Sequence, residues 1–422
     1  MSISRRSFLQ RTSAGAAAFM ASLHTAQAAT QERMAHVFEN APHAAFSRDA
    51  YMLGEDVRYF NHGSIGTVPR VVHEAHTSYL DLCETNPWLY MWSTPWQESR
   101  EQVRTALSAS LGCSAQELVF THNTTEGFNL LAQGLPLGPG DEVVFSNLNH
   151  SGASVCWEHH GARRGYNVRR FDVPLHDIAT FSEDDVVALH LDALSEATKV
   201  LVLPHIDNIV GLRHPLRAIA DAARARGVHW VAVDGAQAAG MVPFRLDALG
   251  VDFYANSPHK WLQAPKGTGL LYVNAKNADQ LEPMWVTWGQ RSWAGSVRVL
   301  EDYGTRNLPA VIALGDALAF QQQANRNSAA VDHRHALWKT IQEHVDVTQG
   351  LTWKSPRMWA LNGSLYAIEV HRDSRAVFTD LFQQHGYVFR AFHSNDWNTI
   401  WLSPNTMNSL AEANMLVQHL AA

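Results

Sequence analysis

From about residue 115 onward, short apolar segments rich in β-branched residues alternate with segments of helical spacing. The apolar segments read ELVFT (117–121), DEVVFS (141–146), TKVLVLPHI (198–206) and VHWVAVDG (228–235). Near-continuous apolar strands that alternate with amphipathic helices are typical of a mostly parallel sheet covered by helices on both faces. The pattern therefore predicts an α/β fold with a large core.

The last quarter of the chain has a different pattern. Helical spacing covers 310–345, and an α+β tail follows: a strand at 364–370, a helix at 374–386, strands near 388–392 and 398–402, and a helix from about 407. We interpret residues 309–422 as a smaller C-terminal domain, which the segment 29–60 joins, and residues 61–308 as the large domain.

Composition excludes several classes of protein. The 422 residues are 46% hydrophobic and 17% charged, with a formal net charge of -7. A mildly acidic chain without a dense block of Lys and Arg lacks the electrostatic pattern of a nucleic-acid-binding protein. Cys83, Cys113 and Cys156 are too few for a disulfide framework. His73 and His76 lack a third ligand at metal spacing, so we predict no metal site.

The N-terminus has the layout of a cleavable export signal. Ser4-Arg5-Arg6-Ser7-Phe8-Leu9 precedes a short apolar run, and Ala26-Gln27-Ala28 follows it. The segment resembles twin-arginine signals, which direct folded proteins to the twin-arginine export machinery. We therefore expect a periplasmic protein cleaved after Ala28, with residues 1–28 outside the fold and no stable membrane anchor, since the apolar run is too short. A disordered basic tail is the alternative.

Polar residues follow the predicted strands at the edge where parallel strands end. Thr124 and Thr125 open a helix after the first strand, and a helix start with hydroxyls suits a phosphate, although simple N-capping is the alternative. His150 follows the second strand. Asp234 ends a fully apolar strand, and Gln237 lies three residues later. A buried carboxylate needs a cationic partner or several hydrogen-bond donors.

Lys260 is the unusual residue of this set, because it lies among aromatic and turn residues in YANSPHKWLQAPKGTG (254–269). Lysines usually stay on the hydrated surface. Pyridoxal 5′-phosphate (PLP) accounts for all of these residues together. Its phosphate would bind at the helix start, and its ring would lie against His150. Its ring nitrogen would pair with Asp234, its 3-oxygen would accept from Gln237, and its aldehyde would react with Lys260. The sequence therefore predicts a PLP site.

The motifs resemble those of class V aminotransferases, which are fold-type I PLP enzymes, and most closely the isopenicillin N epimerase-like branch. The segments that carry the resemblance are YFNHGSIGTVP (59–69), NTTEGFN (123–129), LPHIDNIVGL (203–212), VDGAQAAG (233–240), SPHKW (257–261), PKGTG (265–269) and YGTRN (303–307). The resemblance implies a mostly parallel seven-stranded sheet in the large domain and a Schiff base through Lys260.

The resemblance also assigns roles to further residues. It implies phosphate contacts from Ser257 and His259, and substrate contacts from Asn61, His62 and Asn208. It implies that Gly304 and Thr305 reach the phosphate of a neighbouring subunit, and hence a homodimer with shared sites.

Two departures from the family pattern bear on the reaction. The late strand that commonly carries a carboxylate-binding arginine in an R-V-S motif reads Trp401-Leu402-Ser403 here. Arg390 or Arg306 is the candidate replacement, unless the substrate is not a free α-amino acid. Desulfurases of this class use a cysteine on a late loop, and no cysteine follows Cys156.

The sequence leaves the reaction open. Lys260 is expected to move a proton at the substrate α-carbon, with Asp234 as the counter-charge of the cofactor ring and His150 against the ring. Transamination and epimerisation are the leading alternatives, and decarboxylation or elimination also start from such a site. A periplasmic relative with this layout tailors a glutamyl group of the siderophore pyoverdine, so the same tailoring is a further alternative for this chain. A non-catalytic ligand-binding homologue is the alternative of another class.

Overall fold

A computed structural model of the chain describes residues 5–40, 44–88, 94–394 and 397–421. The helices of these ranges are α1 (Arg5–Asn40), α2 (Arg70–Thr85), α3 (Thr94–Leu111), α4 (Thr124–Gly134), α5 (Ser151–Arg164), α6 (Glu183–Asp192), α7 (Leu216–Ala225), α8 (Leu246–Leu249), α9 (Gly289–Ser292), α10 (Leu308–Ala324), α11 (Ala329–Val347), α12 (Ser374–His385) and α13 (Leu410–Ala421). The strands are β1 (Arg58–Tyr59), β2 (Leu118–Thr121), β3 (Glu142–Ser146), β4 (Asn167–Phe171), β5 (Thr198–Pro204), β6 (Trp230–Asp234), β7 (Phe253–Asn256), β8 (Gly269–Val273), β9 (Leu351–Trp353), β10 (Tyr366–Val370), β11 (Tyr387–Val388), β12 (Arg390–Ser394) and β13 (Trp397–Leu402).

The large sheet has seven strands in the order β2-β8-β7-β6-β5-β3-β4. All neighbours are parallel except β8, which runs antiparallel to both β2 and β7. Hydrophobic clusters cover both faces of this sheet, as the apolar strand pattern predicts. The fold class, a mostly parallel α/β sheet with a smaller C-terminal domain, is confirmed.

The order of the strands decides where the site forms. β3, β5, β6 and β7 are parallel, and β2 has the same direction because it and β7 both run opposite to β8. The carboxyl ends of these five strands therefore lie along one edge of the sheet, where the loops turn into helices. This topology brings the segments that begin at 122, 147, 205, 235 and 257 to a common edge.

The C-terminal domain is built on a four-stranded antiparallel sheet in the order β12-β13-β10-β9. Its core includes Ile341 of α11 and Ile368 of β10. The helical pattern predicted over 310–345 is interrupted between α10 and α11, where Ser328 has a φ of 64°. Leu314 of α10 packs in the large-domain cluster. The domain limits at 60/61 and 308/309 stay predictions.

The N-terminal helix α1 includes residues 5–28 of the predicted leader, and the assignment of residues 1–28 to an export signal stays a prediction. α1 continues without a break past Ala28 to Asn40, since its many alanines have the highest helix propensity. Leu23 is fully buried in a cluster with Tyr79 of α2 and Ile312 of α10. Among the helices of the described ranges, none combines the length and apolarity needed to cross a bilayer.

A buried ion cluster around Glu301 fixes the end of β2. Arg104 donates from its two Nη atoms to the two carboxylate oxygens at 2.8 and 2.9 Å, and the Phe120 N–H donates at 3.0 Å. Arg306 lies 3.4 Å from the same carboxylate. Burial alone would raise the pKa of Glu301, but Arg104, Arg306 and Arg100 lower it to about 2. The cluster links β2 to the loop that contains residues 303–307.

Glu301→Gln should therefore destabilise the fold strongly, because it removes the fully buried carboxylate that faces Arg104, Arg306 and Arg100, and leaves Arg104 only its pair with the half-exposed Glu101. We expect a loss of about 3–5 kcal/mol in the free energy of unfolding, measured by chemical denaturation at neutral pH. The matched control is Asp221→Asn, which removes an exposed pair with Arg217 and should cost less than about 0.5 kcal/mol.

The same cluster gives the stability a pH dependence with a defined sign. Because the folded pKa of Glu301 is lowered from 4.5 to about 2, its contribution is present above the ordinary value and disappears as the pH falls from 4.5 towards 2. The gap in unfolding free energy between the wild type and Glu301→Gln should narrow over that interval. A gap that is absent at neutral pH, or constant across the interval, would contradict this account.

Candidate active site

The carboxyl edge of the large sheet contains a cavity of about 270 Å³. All eight residues that the sequence predicts for the same-chain part of the cofactor site line it: Thr124, Thr125, His150, Asp234, Gln237, Ser257, His259 and Lys260. Asn208 lines it as well. A smaller cavity of about 120 Å³ shares His150, Asn208, Gln237 and Lys260 with the first, and extends to Asn61 and Arg390. The two cavities are therefore adjacent, and Lys260 lies in the wall of both.

Lys260 projects from the loop after β7. Its backbone N–H donates to the Ser257 carbonyl at 3.0 Å. The segment that contains Gly66 presses against this loop: the Gly66 N–H donates to the His259 carbonyl at 3.0 Å, and a Cβ at Gly66 would lie 1.8 Å from the Lys260 carbonyl oxygen. Position 66 therefore has no room for a side chain, and the close contact holds the Lys260 backbone in place.

The environment of Lys260 favours the neutral amine. Burial lowers the pKa of Lys260, Asp234 opposes this effect, and Arg390 adds to it. The side chain keeps partial exposure because it faces the cavity. A lysine whose ammonium is destabilised in this way is suited to act as a nucleophile or a base.

Asp234 ends β6 and is 6% exposed. Within the described chain its carboxylate accepts one hydrogen bond, from the Ala236 N–H at 2.9 Å. Burial raises the pKa of Asp234, and Ala236, Lys260 and His150 lower it in turn. No ion pair within 4 Å joins Asp234 to Lys260 among the described residues, although both line one cavity. The carboxylate and the amine thus face a shared space that a cationic ring nitrogen and an aldehyde would fill.

His150 is held by the helix that follows it. Its Nδ1 accepts a hydrogen bond from the Gly152 N–H at 3.0 Å, as the N-cap of α5. Burial lowers the pKa of His150, Asp234 opposes this, and Lys260 and Arg390 add to it. The ring is therefore neutral, with its proton on Nε2, and its orientation is fixed by the cap.

Gln237 is also oriented by its neighbours. Its Oε1 accepts from the Trp261 indole N–H at 2.7 Å, and its Nε2 donates to the Gly63 carbonyl at 2.9 Å. One amide proton remains for a ligand. This proton can be donated to a bound group, which matches the predicted contact with a ring oxygen.

The start of α4 forms the anion-binding end of the cavity. Asn123 supplies the cap by accepting from the Glu126 N–H at 2.9 Å, so Thr124 and Thr125 are not needed for capping. Thr124 donates its N–H to the Ser257 hydroxyl at 3.0 Å.

The start of α5 adjoins the start of α4. A Cβ at Gly152 would lie 2.5 Å from the Thr125 Oγ1, so the two helix starts are in close contact. Helix N-termini carry partial positive charge and free N–H groups. Two of them, with the nearby hydroxyls, fit a phosphate group.

Some predicted residues lie outside the site. His62 is fully buried and lines neither cavity. Its Nε2 is 3.1 Å from the Thr67 hydroxyl and its Nδ1 is 3.3 Å from the Ser403 carbonyl, and burial lowers the pKa of His62 to about 3. The expected substrate contact of His62 is therefore corrected: Asn61 lines the site, and His62 fastens the segment behind it.

Gly304 and Thr305 are exposed and line neither cavity of their own chain. Their predicted contact with the phosphate of a neighbouring subunit stays a prediction. Arg306 pairs with Glu301 and likewise lines neither cavity. The structure thus removes Arg306 as a substrate-binding candidate, because its charge is used in the buried cluster.

Arg390 lies beside Trp401, the residue at the first position of the late-strand motif. Arg390 of β12 pairs directly with Trp401 of β13, and its guanidinium lies 5.1 Å from the Trp401 ring centroid. Directly opposed residues of an antiparallel pair project from the same face of the sheet. The Arg390 guanidinium and the Trp401 ring therefore lie on the same face of the small sheet, and both residues line the smaller cavity.

Asp207 lines the cavity and was not predicted from the sequence. Its Oδ1 accepts from the Ile209 and Val210 N–H groups at 2.7 Å, and its Oδ2 accepts from the Leu212 N–H at 2.6 Å. Burial raises the pKa of Asp207 to about 6 in spite of these bonds. Asp207 therefore shapes the turn that presents Asn208. The available signal was an aspartate next to Asn208 within the segment 206–212, whose other residues are apolar or glycine.

Comparison with known proteins identifies the family. The model of aminotransferase class V matches residues 58–392. The chain belongs to the aminotransferase class V family. It is therefore a PLP-dependent enzyme with the fold-type I architecture, and the predicted cofactor is confirmed.

Individual relatives differ in their reactions. Isopenicillin N epimerase of Amycolatopsis lactamdurans is 30% identical over 348 residues, which cover 77% of this chain and 84% of the relative. A cysteine desulfurase of Klebsiella pneumoniae subsp. pneumoniae is 30% identical over 298 residues, 66% of each chain. A mutant of C-DES with glycine covalently linked to its PLP cofactor aligns with a TM-score of 0.76 and 25% identity over 87% of this chain and 97% of its own.

Proposed function

We propose that this PLP-dependent enzyme moves a proton at the α-carbon of an amino acid or an amino-acid-derived substrate, in an epimerisation or a transamination. The observation that carries the proposal is the shared cavity of the Lys260 amine and the Asp234 carboxylate, with the Arg390 guanidinium at its other end. When bound, PLP supplies an electron sink that stabilises negative charge at the substrate α-carbon.

The residues of the site divide the work. Thr124, Thr125 and Ser257 would hold the phosphate, Asp234 the ring nitrogen, and Lys260 the aldehyde carbon. Once the substrate amine had replaced it, the Lys260 amine would take the proton from the α-carbon and return it, since burial lowers the pKa of Lys260 and so favours its unprotonated form. Asp234 would favour a protonated ring nitrogen, since its carboxylate is a buried anion in the wall of the same cavity.

The chemistry of the lining residues argues against sulfur transfer. Persulfide formation needs a reactive thiolate near the substrate. The chain has three cysteines, and none of them lines either cavity of the described structure. Burial raises the pKa of Cys156 to about 12, which makes its thiol unreactive. The similarity to cysteine desulfurases therefore supports the fold and the cofactor rather than that reaction.

Lys260→Ala tests the proposed function. In wild-type protein incubated in D₂O with candidate amino acids, we expect deuterium at the α-carbon, with pyridoxamine phosphate accumulating only if the reaction is transamination. The variant should lose the absorbance of the covalent cofactor and slow exchange by roughly 10²–10⁴-fold or more. Lys339→Ala, an exposed lysine of α11, is the matched control.

Two results would count against the proposal. Unchanged absorbance and exchange in Lys260→Ala would remove the assigned role of Lys260. A wild-type protein that binds PLP covalently but exchanges no α-proton with any amine tested would favour the non-catalytic ligand-binding alternative.

We further propose that Arg390 binds a carboxylate of the substrate. Arg390→Gln should raise KM for a carboxylate-bearing substrate by about tenfold or more, with a smaller effect on kcat. The KM for the amide of the same substrate should change little in this variant. Arg375→Gln, an exposed arginine of α12, should leave both KM values unchanged. Equal losses for the acid and its amide would contradict the assignment.

A second candidate function is tailoring of a glutamyl group in a peptide-like siderophore such as pyoverdine. The observation that favours it is the exposure of Arg390 at the margin of the site, which leaves space for a substrate longer than a free amino acid. Mass spectrometry with siderophore precursors distinguishes this route, since loss of carbon dioxide from the precursor would support it. An unchanged precursor mass would dismiss it.

We propose export of the folded protein to the periplasm by the twin-arginine machinery, on the basis of Ser4 to Leu9 and Ala26 to Ala28. Replacing Arg5 and Arg6 by lysine should retain the protein in the cytoplasm, as judged by cell fractionation. An unchanged distribution would refute this route.

We also propose a homodimer, because Gly304 and Thr305 are exposed and available to a second subunit. A monomeric mass by sedimentation would exclude the homodimer.

A further inference from the structure

A second large cavity, of about 350 Å³, lies apart from the cofactor site. It is bounded by α3, the segment after β6, α10 and the start of α11. None of the residues that line the cofactor cavity lines this one. Its volume falls within the range of roughly 300–1,000 Å³ that is typical of small-molecule sites.

Arg334 of α11 is the residue of this cavity that lacks a counter-charge. It is 2% exposed and lines the cavity. Its Nη1 donates to the Asn405 side-chain oxygen at 3.2 Å, and its Nε has no hydrogen-bond partner.

The electrostatic surroundings of Arg334 are unusual for a buried cation. Across the described ranges, no Asp or Glu lies within 4 Å of its guanidinium. Burial lowers the pKa of Arg334 to about 10, so it remains charged at neutral pH. A buried charge without an anionic partner is costly, and an anion in the cavity would remove that cost.

The remaining walls indicate the shape of the anion. Leu111, Met241 and Leu318 provide apolar surface, and Gln322 and Asn325 provide amides at the more exposed side. An arginine fork matches the two oxygens of a carboxylate. We propose that this cavity binds a small organic carboxylate, with its charged end on Arg334 and a short apolar body against the leucine and methionine side chains.

The cavity also touches the loop that carries Lys260. Leu262 lines it, two residues after Lys260. Gln321, another lining residue, donates from Nε2 to the Gln263 side-chain oxygen at 2.6 Å. Gln263 has a φ of 58°, a conformation that a non-glycine residue adopts only when its surroundings enforce it. A ligand here is therefore placed to influence Lys260 without entering the substrate site.

Calorimetric titration of the PLP-loaded protein with hexanoate tests the inference, with hexanamide as the uncharged probe. Hexanoate should bind to the wild type at least about tenfold more tightly than hexanamide, because only the carboxylate pairs with the guanidinium. Arg334→Met should weaken hexanoate binding by a similar factor. Lys339→Met removes a positive charge from the exposed side of the same helix and should leave binding unchanged.

A second pair of variants keeps the test valid if Arg334→Met fails to fold. Gln322 is exposed at the cavity, so Gln322→Trp should fill the cavity and abolish hexanoate binding. Gln323 does not line the cavity, so Gln323→Trp should leave hexanoate binding unchanged. Arg390→Gln should leave hexanoate binding unchanged, which separates this site from the substrate site. Absence of hexanoate binding to the wild type, its persistence in Gln322→Trp, or its loss in Arg390→Gln would each overturn the proposal.

Discussion

The site depends on a lysine amine and an aspartate carboxyl group that are both desolvated in the wall of one cavity of the described structure and make no direct ion pair with each other. Burial favours a neutral Lys260 amine and a protonated Asp234, and each group partly restores the charge of the other. The protein alone does not offset the cost of burying these two groups. The Asp234 carboxylate, for example, accepts a single hydrogen bond within the described chain. A ligand that offers a cation to one and a carbonyl carbon to the other resolves both costs, which is why a PLP site follows from this pair.

Much of this site could be predicted from the sequence because parallel topology converts order along the chain into proximity. Thr124, His150 and Lys260 each follow a strand, Asp234 ends one, and the parallel strands share one carboxyl edge. The apolar strands also predicted the core, because a strand that is buried on both faces is apolar at nearly every position rather than at every second one. These inferences needed only the period of the pattern and the identity of the residue that follows each strand.

Other features depend on contacts that no local pattern reports. His62 lies next to Asn61, yet hydrogen bonds to Thr67 and Ser403 turn it away from the site. The interruption between α10 and α11 is invisible to a helical period that continues through both helices. The burial of Leu23 against α2 and α10 arises from packing between distant parts of the chain, which the pattern of an export signal does not report. The role of Asp207 depends on the turn that its own carboxylate creates.

The pairing of Arg390 with Trp401 has a consequence for how related proteins are compared. Facing positions of an antiparallel ladder present their side chains to one patch of space, so a functional group can pass from one strand to the other while the backbone stays the same. A sequence motif defined along a single strand will then report that the functional group is lost, although the neighbouring strand still supplies it. For such sheets, related proteins are better compared by cross-strand residue pairs than by positions along one strand.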